Sequence, residues 1–136
     1  MSQGLVVYAK NKQRVSAFYQ MTLGLLTEAS DTFHDLLRGH GHEIVVHAIP
    51  QEYATDITIE QPPRPREDTP FKPVFVVGSL AEVRRAAEAS GGHLRPDSHA
   101  WEYLGHKVLD GWDPEGNIVQ FKQPLQQFLK PRQANS

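Results

Sequence analysis

Five of the chain's ten prolines fall between Gln61 and Pro73: Pro62, Pro63, Pro65, Pro70 and Pro73. Proline fixes φ and donates no backbone hydrogen bond, so this stretch is extended and cannot run as a central strand. It lies near the middle of 136 residues, a length that suits one domain or two small fused halves. The chain must therefore build its structure on either side of a stiff connector. The two sides read alike. Each opens with a short apolar strand, passes into a capped helix closed by glycine, and ends in strands.

In the first half, Leu5–Ala9 is the apolar strand and Asn11 the helix cap. Val15, Phe18, Tyr19 and Thr22 follow at i, i+3, i+4, i+7, the spacing of one helix face. Gly24 stands where a helix needs a left-handed C-terminal residue. Leu25–Ala29, Phe33–Leu37 and Glu43–Ile49 read as strands. In the second half, Phe71–Val77 is the apolar strand, and Ser79-Leu80-Ala81-Glu82 is a capping box. Leu80, Val83, Ala86 and Ala87 give the helix its apolar face, and Gly91-Gly92 end it. Strands are predicted near Glu102–Leu104, at Lys107–Trp112 and at Ile118–Lys122. Asp113-Pro114-Glu115-Gly116-Asn117 forms a tight turn between the last two. The predicted fold class is α+β: two βαβββ modules, about 3–60 and about 71–124, joined by a connector at 61–70. A polar tail at 125–136 is expected to fray from Lys130 onward.

Successive strand side chains point to opposite faces. Leu5, Val7 and Ala9 oppose Gly4, Val6 and Tyr8. Ile44, Val46 and Ala48 oppose Glu43, Val45, His47 and Ile49. Phe75 and Val77 oppose Lys72, Val74 and Val76, and Val119 and Phe121 oppose Ile118, Gln120 and Lys122. One face of each strand is apolar and belongs under a helix. The other mixes apolar residues with Tyr8, His47, Lys72 and Gln120, whose polar groups need partners or water. A concave, partly wet groove would supply both and suit a ligand. An ordinary solvent-facing or dimer-facing sheet surface would satisfy them too.

Composition narrows the chemistry. There is no cysteine, so disulfides, thiolate metal sites and thiol nucleophiles are excluded. Lys and Arg number 14 against 16 Asp and Glu, scattered along the chain, which argues against nucleic acid as a partner. No apolar run reaches the ~20 residues of a membrane span, and Met1-Ser2-Gln3-Gly4 lacks the marks of a signal peptide. A soluble cytoplasmic protein is expected. Seven histidines are present. His40-Gly41-His42 sits in a glycine-rich turn, whereas His47 is flanked by apolar residues on the mixed face.

Three pieces resemble the vicinal oxygen chelate superfamily of glyoxalase I, bleomycin-resistance proteins, fosfomycin-resistance enzymes and extradiol dioxygenases. They are Ser16-Ala17-Phe18-Tyr19 through Leu23-Gly24-Leu25, the strand–helix–glycine unit Phe71–Gly92, and Gly111-Trp112-Asp113-Pro114-Glu115-Gly116-Asn117 before the last strand. The resemblance implies a U-shaped mixed sheet around a cavity, with helices on its outer face and the cavity commonly completed by a homodimer. It also implies a divalent metal held by His or Glu from the first and last strands of each module. At those positions this chain offers Gly4 (or Gln3 if the register slips), His47 with Glu43 on its face, Lys72 and Gln120. Glycine has no ligand, lysine is a cation, and an amide is neutral. Only His47 is a good transition-metal ligand, while tight zinc sites use three or four.

The leading expectation is a metal-independent protein, without cofactor. It binds a small organic molecule in a homodimeric groove lined by Tyr8, His47, Trp101, Tyr103 and Gln120. The first alternative is a divalent-metal-dependent lyase, isomerase or dioxygenase with a non-standard ligand set drawn from His47, Gln120 and Glu43, or His106. The second is a metal-free enzyme with His47, Lys72 or Tyr103 in acid–base roles, since a partly buried lysine can lose its proton more readily. Asp110 and Glu102 are further acid–base candidates. A protein-interaction module without a ligand is the third alternative.

Overall fold

The computed structural model describes residues 3–126; the tail expected to fray lies outside them. The first half forms β1 (Gln3–Ala9), α1 (Lys12–Leu23), β2 (Leu26–Ser30), β3 (His34–Gly39) and β4 (His42–Ala48). Their sheet runs β1-β4-β3-β2. β1 lies parallel to β4, and the other pairs are antiparallel. Caps set the bounds of α1 as its sequence predicts. The Asn11 side chain accepts from the Arg14 amide, and Gly24 takes φ 67°. A short helix, α2 (Gln51–Ala54), leads into the connector.

The second half forms β5 (Val74–Val76), α3 (Leu80–Ala89), β6 (His93–Leu94), β7 (Trp101–Tyr103), β8 (His106–Trp112) and β9 (Ile118–Pro124). Its sheet runs β5-β9-β8-β6, and β7 also pairs with β8. β6 takes the Gly111–Trp112 end of β8 and β7 the His106–Val108 end. They are one strand position, broken by Pro96 and a 3-10 turn at Asp97–His99. With that position counted once, both halves are βαβββ, and β5 lies parallel to β9 as β1 does to β4. The strand expected over Phe71–Val77 is shorter. The Pro73 carbonyl accepts from the Gln120 amide at 2.9 Å, but Pro73 cannot return a donor, and regular pairing begins at Val74. Ser79 accepts from the Glu82 amide, while the Gln123 side chain takes the Leu80 amide at 2.7 Å.

Burial follows the predicted alternation. Val7, Ala9, Ile44 and Val46 of one sheet, and Phe75, Leu109, Val119 and Phe121 of the other, are buried. With Val15, Phe18 and Tyr19 of α1 and Leu80, Val83 and Ala87 of α3 they form one continuous core. Each such aromatic contributes roughly 1.5–3 kcal/mol by leaving water. The helices pack on each other. Gly92 is required where they meet the second sheet: a Cβ there would lie 2.4 Å from the Phe18 ring and 2.6 Å from the Trp112 carbonyl oxygen.

Polar anchors lock the halves together. Tyr19 Oη donates to Asp113 Oδ2 at 2.8 Å. Asp113 Oδ1 accepts the Glu115 and Asn117 amides, and the Asn117 side chain donates to both oxygens. The Glu115 carboxylate accepts the Lys10 and Asn11 amides at 2.8 and 2.6 Å, covering the entry to α1 from the opposite half. The Gly116 carbonyl accepts the Arg66 amide of the connector. Gly116 has φ 85°, and a Cβ there would sit 2.1 Å from the Arg64 carbonyl oxygen, so this turn position needs glycine. The turn is thus a clamp between modules and connector. Within the first half, Lys12, Ser16 and Ser30 donate to Asp35 at 2.6–2.7 Å. Burial alone would raise the Asp35 carboxyl. The donors outweigh it and hold the group below its ordinary range.

Candidate functional site

The uncovered faces of the two sheets carry the residues singled out from sequence. On the first sheet, Tyr8, His47 and His34 are in register across β1, β4 and β3. The His47 ring lies 5.3 Å from that of Tyr8 and 4.3 Å from that of His34. His47 Nδ1 is 2.8 Å from the Ala48 carbonyl oxygen, which can only accept, so Nδ1 donates in that bond. Four residues earlier on β4, Glu43 is ion-paired with Arg38, which also holds Glu28. The Glu43 carboxylate lies 3.9 Å from the place a Gly4 Cβ would take.

On the second sheet, Asp110 of β8 pairs with Gln120 of β9, and Gln120 with Val74 of β5. Lys72 Nζ reaches Asp110 Oδ2 at 2.9 Å, and Gln120 Nε2 donates to Asp110 Oδ1 at 3.1 Å. Both carboxylate oxygens are therefore engaged, and the Gln120 amide turns its oxygen away from Asp110. Further along the same face, Trp101 is in register with Val108, and Tyr103 with His106. Trp112 packs tilted against His93 with ring centroids 4.7 Å apart, and the Arg95 guanidinium lies 5.1 Å from its ring. The Trp112 Nε1 hydrogen is buried without an acceptor among the described residues.

The structure thus groups the five expected lining residues in two sets, Tyr8 with His47 and Trp101 with Tyr103 and Gln120. Tyr8 and Val6 also line a cavity of about 270 Å³ together with Phe71, Pro73 and Ile118 of the second half and Arg66 and Thr69 of the connector. Leu5, Val7 and Tyr19 line it as well, so it sits where β1, the second half and the connector meet. A larger cavity, about 570 Å³, runs between the end of α1 and the start of α3 past His40, His42, Ser79 and Glu82. The His42 ring packs edge-on against Phe75 at 5.2 Å. Burial there, with the neighbouring His40 charge, lowers the His42 imidazole below its ordinary pKa.

The donor set does not fit a divalent metal. Glu43 and His47 lie on one strand four residues apart, roughly 13 Å at ~3.3 Å per residue, too far to share an ion. Glu43 is neutralised by Arg38, and Asp110 by Lys72. Among the described residues no three His, Asp or Glu side chains converge as a ligand group. Sequence reasoning named Lys72, Asp110 and Gln120 separately and missed their meeting. Their shared face was visible in the alternation, but the β8–β9 register was not.

Tyr19 and Asp113 are chemically conspicuous as well, both buried and bonded to each other. Burial, then the Asp113 charge, pushes the Tyr19 phenol well above its ordinary pKa. Burial likewise raises Asp113 against the donors that surround it. Tyr19 edges the cavity of about 270 Å³, but at 1% and 0% exposure the two side chains are turned to each other, and the pair is a structural anchor.

No family model matches this sequence, and no curated protein matches it. Solved structures do match in shape. A glyoxalase/bleomycin resistance protein/dioxygenase family enzyme from Burkholderia phytofirmans PsJN aligns over 90% of this chain and 97% of its own, with TM-score 0.64 and 17% identity. The bleomycin resistance determinant encoded on transposon Tn5 aligns over 91% and 98%, with TM-score 0.58 and 16% identity. A mutant of the fosfomycin resistance protein FosX from Listeria monocytogenes, complexed with Mn(II) and 1S,2S-dihydroxypropylphosphonic acid, aligns over 97% and 96%, with TM-score 0.62 and 14% identity. Among the described residues no helix is long and apolar enough to cross a membrane. Identities this low speak to architecture, and the architecture is the repeated βαβββ unit derived above. The chain has the fold of the vicinal oxygen chelate superfamily, the glyoxalase and bleomycin-resistance fold.

Proposed function

We propose that this protein binds a small organic molecule against the uncovered sheet faces, in a groove completed by a second copy of the chain and without a divalent metal. The observation that carries the reading is the character of those faces. Tyr8, Trp101 and Tyr103 are 63%, 43% and 64% exposed, and Val6, Val74 and Val76 about as much. Monomers rarely leave such apolar area on both sheets uncovered. The aromatics offer broad, rigid contact area, and Lys72, Gln120 and His47 offer directional polar contacts beside it.

Sedimentation of the purified protein, with thermal-shift screening of small aromatic and amphipathic metabolites, tests this. The expected result is a dimer stabilised by at least one compound, with the stabilisation lost in Tyr8→Ser and Trp101→Ser. Stoichiometric Fe, Ni, Zn or Mn bound at micromolar or better affinity would defeat the metal-independent part. A second reading, a metal-dependent enzyme, draws on the Mn(II) complex of FosX. It requires an activity that chelator and His47→Ala both abolish.

A further inference from the structure

We propose that the Lys72 ammonium is the resident cation of the second sheet's open face, and that with Gln120 it closes this face to divalent metal. The inference rests on reading that face as part of the ligand groove, and it names what stands where a metal would be held. Two side chains from neighbouring segments, Lys72 before β5 and Gln120 on β9, converge on one carboxylate, Asp110 on β8. Asp110 supplies the anionic oxygens, and Lys72 Nζ and Gln120 Nε2 occupy one each. A metal ion approaching them would displace an ion pair and sit beside a like charge, with one neutral amide oxygen in return. The same ammonium keeps two hydrogens beyond the one directed at Asp110, and its side chain is 41% exposed. An oxygen-bearing ligand on this face would therefore meet N–H donors.

The geometry makes the exclusion reversible by design. Side chains at 72 and 120 already end within hydrogen-bond distance of Asp110. Lys72→His with Gln120→Glu would turn the cluster into one imidazole and two carboxylates, a donor set that suits Mn²⁺. The experiment is Mn²⁺ titration of the full chain by calorimetry and by loss of the free-ion paramagnetic resonance signal. Mn²⁺ avoids confusion with histidine pairs in turns, because it prefers oxygen ligands.

The wild type should show no stoichiometric site. The double variant should gain one per chain, with affinity higher by roughly 100-fold or more. Lys72→Gln alone, a milder change that frees Asp110, should give a smaller gain, about 10-fold. A stoichiometric wild-type Mn²⁺ site overturns the proposal. So does a folded double variant, or a Lys72→Gln protein, that binds no better than the wild type. None of these readouts involves an organic ligand, so failure of the metabolite screen would sink the binding reading and leave this result intact.

Discussion

The two halves of this protein repeat one architecture with opposite economies. Their covered faces are interchangeable in kind: Val7, Ile44 and Val46 under α1 match Phe75, Val119 and Phe121 under α3, and all join one core. Their open faces share almost nothing. The first carries an aromatic row, Tyr8–His47–His34, and an Arg38–Glu28–Glu43 cluster. The second carries Lys72–Asp110–Gln120 and the exposed rings of Trp101 and Tyr103. The first sheet is built of strands of five to seven residues, while the second tolerates a three-residue β5 and a broken β6/β7 position. The constraint that makes the repeat is core packing. Chemistry is free to diverge on the side the core does not reach.

The strongest test of a shared core is a pair of truncations, one per module. Phe121→Ala should cost about 3–5 kcal/mol and Ile44→Ala about 2–5, since both side chains are buried, at 0% and 1% exposure. Urea unfolding followed by far-ultraviolet circular dichroism and by tryptophan fluorescence should show one coincident transition in each variant. Both tryptophans lie in the second module, so an Ile44→Ala protein whose two signals part company would break the comparison, because the modules would then unfold separately.

Next in size is the clamp. Asp113→Ala strands the Tyr19 hydroxyl, the Asn117 side chain and the Glu115 amide, and should cost about 2–4 kcal/mol. Tyr19→Phe removes one of several donors to Asp113 and should cost nearer 1 kcal/mol. Equal losses in the two variants, measured by denaturant midpoint, would mean that the clamp works through Tyr19 alone.

The contrast explains what the sequence made legible. Alternation in Glu43–Ile49 and Ile118–Lys122, and the caps at Asn11, Gly24 and Ser79, are local signals, and the structure follows them. Pairing partners are not local. Asp113 and Glu115 read as ordinary polar turn residues, yet they are buried against Tyr19 and the start of α1. Their partners lie about a hundred positions away, beyond the reach of any window. Lys72 was legible as a misfit, but Asp110 as its counter-ion depends on a register across two strand pairs. The break between β6 and β7 falls at Pro96, and a two-residue strand such as His93–Leu94 carries no period to read.

A smaller effect concerns the seam between the sheets, where His42 meets Phe75. The unfolded imidazole titrates near pH 6.5 and the folded one lower, through burial and then the His40 charge. Below pH 6.5 the unfolded chain therefore binds more protons. Stability should fall as pH drops from 6.5 to the folded pKa, and level off beneath it. His42→Phe removes this proton linkage and should flatten that limb in melting temperatures taken between pH 7.5 and 5. An unchanged slope would assign it to other groups.

The smallest expected effect is the sharpest statement about the open faces. Tyr103 is 64% exposed, beside a hairpin tip where Leu104 and Gly105 both take positive φ. Its ring is not part of the buried core. Tyr103→Ser should shift the stability of the dilute, ligand-free protein by no more than about 0.5 kcal/mol, about six- to tenfold less than the cost of losing Phe121. The informative comparison is the same variant at high protein concentration or with a stabilising ligand. There a wild type that gains stability and a variant that does not would locate Tyr103 in what the open face binds. A loss of more than about 1 kcal/mol in the dilute protein would instead place the ring in the folding core, and the division between a packed face and an open face would no longer hold for the second module.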